Sequence, residues 1–339
     1  MQKIELGLIG YGYWGPNFAR LISKSNICSL KYCADLITSS LAKVKEKYPQ
    51  VITTNNYHDI LKDKEVLAVL IITPVKSHFT LAYDALKAYK HVFVEKPLTF
   101  NIQDSKKLIS LANKNKRILM TGHTFLYNPA VRYIKNLIGK NELGNIKHLH
   151  FQRCNLGPIR KDVNVLWDLA AHDISMLLYL IKDTPEYAIA IGEAFLQNNV
   201  HDVVSASIKF KGGIIANMIL SWIDPVKTRD ITIVGDKKML VFDDVEIKDK
   251  VKVYDKNVNI INQTKSVSFQ NYQIALHNGI THIPTIVNKE PLKEELNHFI
   301  DCIQHHKKPL TDGTNGLEVV RILTALQKSL ENNSKLIKL

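Results

Sequence analysis

The sequence predicts an α/β protein: an N-terminal doubly wound parallel sheet, followed by a second α/β domain with a large, open, mostly antiparallel sheet. Three observations predict it. Apolar strand-like runs alternate with helix-length amphipathic segments from Ile4 to about Gly122, the rhythm of βαβ units. A glycine-rich turn, GYGYWG, sits between the first such strand and the first such helix. From Glu186 to Gln270 the pattern becomes strand after strand, with turn signals at Lys211-Gly212-Gly213 and Gly235-Asp236.

The elements follow in order. IELGLIG precedes a helix from Pro16; LKYCADL precedes a helix through LAKVKEKY. VLAVLII is apolar almost throughout, as a strand buried on both faces must be, and leads to a helix through FTLAYDALKAY. HVFVEK, a helix through SKKLISLANKN, and RILMTG complete the first sheet. Beyond it come a helix through PAVRYIKNLI, the alternating strand IKHLHFQRCNL, and a helix beginning near Trp167. The strands YAIAIGEAFLQ, VVSASIKF, IIANMILSW, DITIVG, KMLVFD, VKVYD and KSVSF follow, and two amphipathic helices, LKEELNHFIDCIQHH and GLEVVRILTALQKSL, close the chain. The predicted domains are 1–121 and 122–339.

At 339 residues and 45% hydrophobic content the chain can bury a sizeable core, and its length favours two domains. No window reaches the roughly 18 uninterrupted apolar residues of a membrane helix. The opening MQKIELGLIG lacks the basic and apolar regions of a signal peptide, so a cytoplasmic protein is expected. Cys28, Cys33, Cys154 and Cys302 are scattered without a CxxC pair, which indicates neither a disulfide framework nor a metal site. The net charge of +13 is spread along the chain with no nucleic-acid-binding signature beside it. A solvated surface explains it, and an anionic small substrate is compatible with it.

In the glycine turn, Gly10 permits the tight bend, Gly12 lets backbone approach a pyrophosphate, and Gly15 allows helix to pack on strand. Tyr13 and Trp14 belong to the same turn, and Pro16 suits the first helical position. Asp35 ends the second strand 20 residues beyond Gly15, where a carboxylate accepts hydrogen bonds from a ribose 2′-hydroxyl and repels a 2′-phosphate. NAD is therefore expected over NADP. Thr73, Pro74 and His78 follow another buried strand, on the strand edge where open α/β sheets bind ligands.

Glu95, Lys96 and Pro97 end a further strand, which places Lys96 on that same edge as a surface cation or a working acid/base. Asp168 and His172 are four residues apart and share one helical face. They read either as an acid/base and substrate-orienting pair, or as a helix cap and an interior histidine. Tyr127, Asn128, Arg153, Arg160 and Asn164 flank these elements and offer hydrogen bonds or positive charge to an anionic substrate.

Taken together and in order, GYGYWG, Asp35, ITPVKSH (Ile72 to His78), EKP (Glu95 to Pro97) and WDLAAHD (Trp167 to Asp173) resemble the Gfo/Idh/MocA family of NAD(P)-dependent oxidoreductases. The likeness spans essentially the whole chain. It implies a Rossmann domain, a C-terminal α/β domain whose sheet makes homodimers or homotetramers, and C-terminal helices that pack back on the first domain. It also implies catalytic roles for Lys96, Asp168 and His172. Many members carry glycines where this sequence has Trp167, Ala170 and Ala171. GYWGPN with LWDLAAHD looks most like members of bacterial surface-sugar pathways, among them the WlbA-like UDP-N-acetylglucosaminuronate 3-dehydrogenases. That likeness implies hydride transfer at C3 of an anionic nucleotide sugar; the alternatives are an NADPH-dependent deoxysugar C3-ketoreductase and a non-catalytic nucleotide-sensing protein of the same fold.

Overall fold

The structure, a computed structural model, describes residues 3–260 and 274–339. The strand expected over KSVSF lies outside the described residues. The chain divides into two compact units. The first runs to Tyr127 and takes in Lys289–Thr324; the second comprises Asn128–Asn288 and Ala325–Leu339.

The first unit opens with β1 (Ile4–Ile9), α1 (Gly15–Ser23), β2 (Cys28–Ala34), α2 (Thr38–Lys47), β3 (Ile52–Thr54) and α3 (His58–Lys62). It continues with β4 (Val66–Ile71), α4 (His78–Lys87), β5 (His91–Glu95), α5 (Ile102–Lys114) and β6 (Leu119–Gly122). The strands pair in parallel in the order β3-β2-β1-β4-β5-β6. The order reverses between β1 and β4, where doubly wound sheets open a crevice at the carboxyl ends of their strands. β1 and β4 are buried along nearly their whole length, which is why their sequences are apolar runs and not alternations. β3 and α3 were not expected from the sequence; both are short, and the half-exposed β3 carries no readable period.

In the second unit α6 (Pro129–Gly139), β7 (Ile146–Leu156) and α7 (Ala171–Leu180) precede β8 (Pro185–Glu193), β9 (Val203–Phe210), β10 (Ile215–Ser221) and β11 (Ile223–Gly235). β12 (Met239–Asp243), β13 (Val251–Ile260) and β14 (Ile274–His282) follow, and after α8 (Pro291–Gln304) and α9 (Gly313–Glu331) the chain ends with β15 (Ile337–Lys338). The sheet order is β14-β13-β12-β11-β7-β10-β9-β8-β15. Every pairing is antiparallel except β7 with β10, which runs parallel from His148↔Ile215 to Cys154↔Ser221. β8 stops at Glu193, short of the run expected to Gln197, because the Asp202 carboxylate accepts the N–H groups of Phe195 and Leu196 at 3.2 and 2.7 Å.

α8 and the first part of α9 belong to the first unit. The ring of Phe299 on α8 meets Phe93 of β5 edge-on at 5.7 Å, and Phe93 meets Phe18 of α1 at 5.3 Å. All three rings are fully buried. No helix among the described residues is long and apolar enough to cross a membrane. Phe299→Ala is expected to cost about 3–5 kcal/mol of unfolding free energy in urea titration, the scale of an emptied aromatic site; a cost below about 1 kcal/mol would show that α8 is not part of this core.

Candidate active site

The turn after β1 combines two positions that exclude a side chain with one that stands open. Gly10 has φ +100°, its N–H donates to the Ala34 carbonyl at 2.8 Å, and a Cβ there would lie 2.6 Å from the Ile72 carbonyl oxygen. A Cβ on Gly15 would lie 2.5 Å from the Gly10 carbonyl oxygen, so the start of α1 rests directly on the turn. Around Gly12 nothing lies within 4 Å of where a Cβ would be. Open backbone at a helix N-terminus, with no acidic residue in the first turn of α1, fits the pyrophosphate of a dinucleotide. Tyr13, 87% exposed, and Trp14 stand out from the turn with their rings edge-to-face.

Asp35 follows β2 directly. Its Oδ2 accepts the Tyr11 N–H at 2.6 Å and its Oδ1 the Ile37 N–H at 2.8 Å. Each carboxylate oxygen keeps a further lone-pair direction for a ribose hydroxyl. Thr73 and Pro74 follow β4, where the Ser77 hydroxyl lies 2.7 Å from that of Thr73. His78, expected to touch a cofactor, is instead turned inward and enclosed, its ring nitrogens facing the Thr73 and Pro97 carbonyls.

Lys96 leaves the end of β5 beside groups that the sequence did not single out. Its N–H donates to Glu95 Oε2 at 3.0 Å. Burial pushes the Glu95 carboxyl up to about 7 against the pull of the Lys96 charge. Glu295 on α8 is wholly enclosed; burial, then the nearby Glu95, hold it well above the usual carboxylate range, while the Thr124 hydroxyl donates to its Oε2 at 2.6 Å. His123, also wholly enclosed, is driven down to about 3 by burial and then by Lys96. No spacing rule links positions 95, 123 and 295, because β5, the end of β6 and α8 meet only in the folded unit. Tyr127, expected at the substrate, is interior here, with its hydroxyl 3.4 Å from that of Thr311 and its ring beside His298.

In the second unit the Asp168 carboxylate is held from two sides: Arg160 Nη1 donates to Oδ1 at 3.1 Å and Trp222 Nε1 donates to Oδ2 at 3.3 Å. Arg160 also grips Asp162 through Nε and Nη2 at 2.9 and 2.6 Å. Residues Leu166–Ala170 form a π turn that runs into α7, so the regular helix expected near Trp167 carries a bulge of the kind often found at functional sites. Asp168 lies in that turn and the half-buried His172 on the first turn of α7. Asn164 caps the turn by accepting the Trp167 N–H at 3.2 Å, and Gln327 receives both the Asn164 amide and Trp167 Nε1 at 2.9 and 3.1 Å. Arg153, expected to face an anionic substrate, is 5% exposed, and its Nε and Nη2 donate to Asp173 Oδ1 at 2.9 and 2.7 Å. Asn128 caps α6 through the Ala130 N–H at 2.9 Å and donates to Asp244 at 3.3 Å. Trp222 and Gln327 were missed because they lie 54 and 159 residues from Asp168. Among the described residues no group of His, Cys, Asp and Glu is placed to hold a metal ion.

Residues 4–123 match the model of an oxidoreductase family with an NAD-binding Rossmann fold, and residues 131–241 match the GFO/IDH/MocA C-terminal domain. The chain belongs to the Gfo/Idh/MocA oxidoreductase family. Relatives include the UDP-N-acetylglucosamine 3-dehydrogenase of Acidithiobacillus ferrooxidans, 24% identical over 79% of this chain and 80% of the relative. Another is the myo-inositol 2-dehydrogenase of Thermotoga maritima, 24% identical over 97% of this chain and 96% of the relative. The WlbA dehydrogenase of Bordetella pertussis, solved in complex with NADH and UDP-GlcNAcA, shares the fold with a TM-score of 0.81 at 19% identity, over 100% of this chain and 99% of that one.

Two outcomes follow from this geometry. Gly12→Ala is expected to leave thermal stability unchanged and weaken dinucleotide binding, whereas Gly10→Ala lowers both; calorimetry and thermal melting separate them. For pH, the unfolded Glu95 carboxyl loses its proton near its ordinary 4.5 while the folded one keeps it to about 7, so this group costs stability as pH rises through that window. His91 and His123, driven down to about 4 and about 3, act in the opposite sense below about 6.5, where the unfolded rings protonate first. Glu95→Gln isolates the carboxyl: its melting temperature relative to the unaltered protein rises from pH 4.5 to 7, and a constant difference would mean that folded Glu95 is ionised throughout.

Proposed function

We propose that this oxidoreductase uses NAD to oxidise a ring CH–OH of an anionic nucleotide sugar, with C3 of UDP-N-acetylglucosaminuronate as the foremost candidate. The assignment places it in surface-polysaccharide sugar biosynthesis in the cytoplasm, as a homodimer or homotetramer assembled through the C-terminal sheet. The observation that carries the reading is Asp168, oriented by Arg160 and Trp222 one helical step before His172, in a chain that also presents Lys96 at the carboxyl edge of a dinucleotide-binding sheet. The relative named UDP-N-acetylglucosamine 3-dehydrogenase, and the NADH and UDP-GlcNAcA complex of a structural neighbour, support the substrate class.

Gly10, Gly12 and Gly15 with the start of α1 would hold the pyrophosphate, Asp35 the adenosine ribose, and Thr73 and Pro74 the next stretch of the sheet edge. Asp35 is followed by the exposed Leu36 and Ile37, which bring no cation for a 2′-phosphate; this favours NAD over NADP. When bound, the nicotinamide supplies the hydride acceptor, or the donor in the reverse direction. His172 serves as the acid/base that handles the hydroxyl proton, and Lys96 serves as a hydrogen-bond donor to substrate oxygen where negative charge develops. Asp168 orients the sugar through its hydroxyls, and Arg160, itself held by Asp162, fixes the Asp168 carboxylate for that role.

The test is absorbance of reduced nicotinamide when protein and NAD⁺ meet a panel of UDP- and dTDP-sugars. Lys96→Ala and His172→Ala are each expected to lose about 10²–10⁴-fold in kcat while keeping NAD affinity, the range of a general acid–base group. Near-normal turnover in both variants would sink the assignment, and strong selectivity for NADP would overturn the role of Asp35.

A further inference from the structure

His78 is the first residue of α4, yet its side chain points inward and is 1% exposed. Its Nε2 lies 2.8 Å from the Thr73 carbonyl oxygen and its Nδ1 2.9 Å from the Pro97 carbonyl oxygen. Those carbonyls belong to the turns that leave β4 and β5, neighbours paired in parallel from Ala68↔His91 to Ile71↔Val94. One ring therefore spans two turns on the cofactor edge, one bearing Thr73 and Pro74 and the other Lys96.

Both oxygens only accept, and a neutral imidazole has a single N–H. Burial disfavours the doubly protonated ring and outweighs the Pro97, Thr73 and Leu98 backbone groups that favour it, with the Lys96 charge acting in the same sense as burial. His78 thus donates to one carbonyl, and its tautomer decides which turn it anchors. The β4 turn is held without it: the Ile72 N–H donates to the Ile9 carbonyl at 2.8 Å and the Ser77 N–H to the Pro74 carbonyl at 3.0 Å. The β5 turn takes a direct hold from His78 at the Pro97 carbonyl. Pro97 has no N–H, and the Lys96 N–H is spent on the Glu95 side chain.

We propose that His78 is a positioning residue for Lys96, carrying its proton on Nδ1, donating it to the Pro97 carbonyl and so fixing the turn from which Lys96 emerges. The Nε2 lone pair then opposes the Thr73 carbonyl, a contact kept closed by the independently anchored β4 turn. The role rests on Lys96 handling the substrate oxygen; the tautomer does not.

The tautomer is read directly from imidazole ¹⁵N shifts of the unaltered protein, with the His78 signals identified by their loss in a variant. A protonated Nδ1 is expected; a protonated Nε2 overturns the proposal. Kinetics provide the second reading. His78→Asn places its amide N–H at the position of Nδ1, and His78→Gln places it at that of Nε2. H78N is expected to stay within about tenfold of the unaltered kcat and H78Q to lose about 100-fold, the scale of a misplaced catalytic group, while NADH affinity by calorimetry and melting temperature stay alike in the two. Equal losses, or the reverse order, overturn it. Lys96→Ala retaining turnover would remove the catalytic reading and leave the tautomer result standing.

Discussion

The close approach of Gly10 to the Ile72 carbonyl is the contact on which the nucleotide half of the molecule depends. Gly10 N–H reaches the Ala34 carbonyl on one side, while Ile72 N–H reaches the Ile9 carbonyl on the other. The ends of β2, β1 and β4 are thereby pinned within one hydrogen-bonded row. A side chain at position 10 would force β1 and β4 apart at the point where the sheet order reverses. Because all six strands run parallel, the residues that follow them share one edge, which brings Asp35, Thr73 and Lys96 there. The hydrogen bond from Tyr11 N–H to Asp35 then joins the glycine turn to the next strand end.

Behind Lys96 the governing factor is water exclusion. Glu95, Glu295 and His123 are each pushed toward their neutral forms by burial, which outweighs the Lys96 charge at Glu95 and is reinforced by Glu95 at Glu295 and by Lys96 at His123. Lys96 consequently leaves the sheet over a layer whose charge is suppressed, and small rearrangements of the β5 turn alter what its ammonium meets. That is the physical reason why an anchor on the Pro97 carbonyl matters. In the second unit the same economy takes a different form: Arg153 and Asp173 neutralise each other inside, and Asp168 has a cation and an indole N–H aimed at it. Two acidic groups five residues apart thus serve different ends. One locks α7 to β7; the other presents its carboxylate from a π turn.

Hydrophobic period and glycine spacing were enough to read five of the six strands of the first sheet, all but the short β3, because a strand buried on both faces must be apolar throughout and a strand-to-helix turn against pyrophosphate must lack side chains. The alternation of IKHLHFQRCNL likewise marked β7, with Leu149 and Phe151 enclosed and His148 and His150 on the more open face. Lys96 at a strand end, Asp35 after β2, and the Asp168 to His172 spacing were legible for the same reason: each is a local relation between a residue and its own element.

What no local relation encodes was decided by the tertiary structure. Whether a polar side chain faces a ligand or the interior depends on which distant element covers it, so Arg153, Tyr127 and His78 turned inward against Asp173, Thr311 and Pro97. Trp222, between β10 and β11, and Gln327, on α9, joined the second unit's polar cluster from far along the chain, and Glu295 joined the first unit's. The parallel pairing of β7 with β10, and the return of residues 289–324 to the first unit, are likewise long-range choices. The sequence alone determined the types of the long, periodic elements and the chemical groups at their ends. Only the packed chain determined partners, because desolvation and hydrogen-bond satisfaction are settled among residues that sequence distance does not relate.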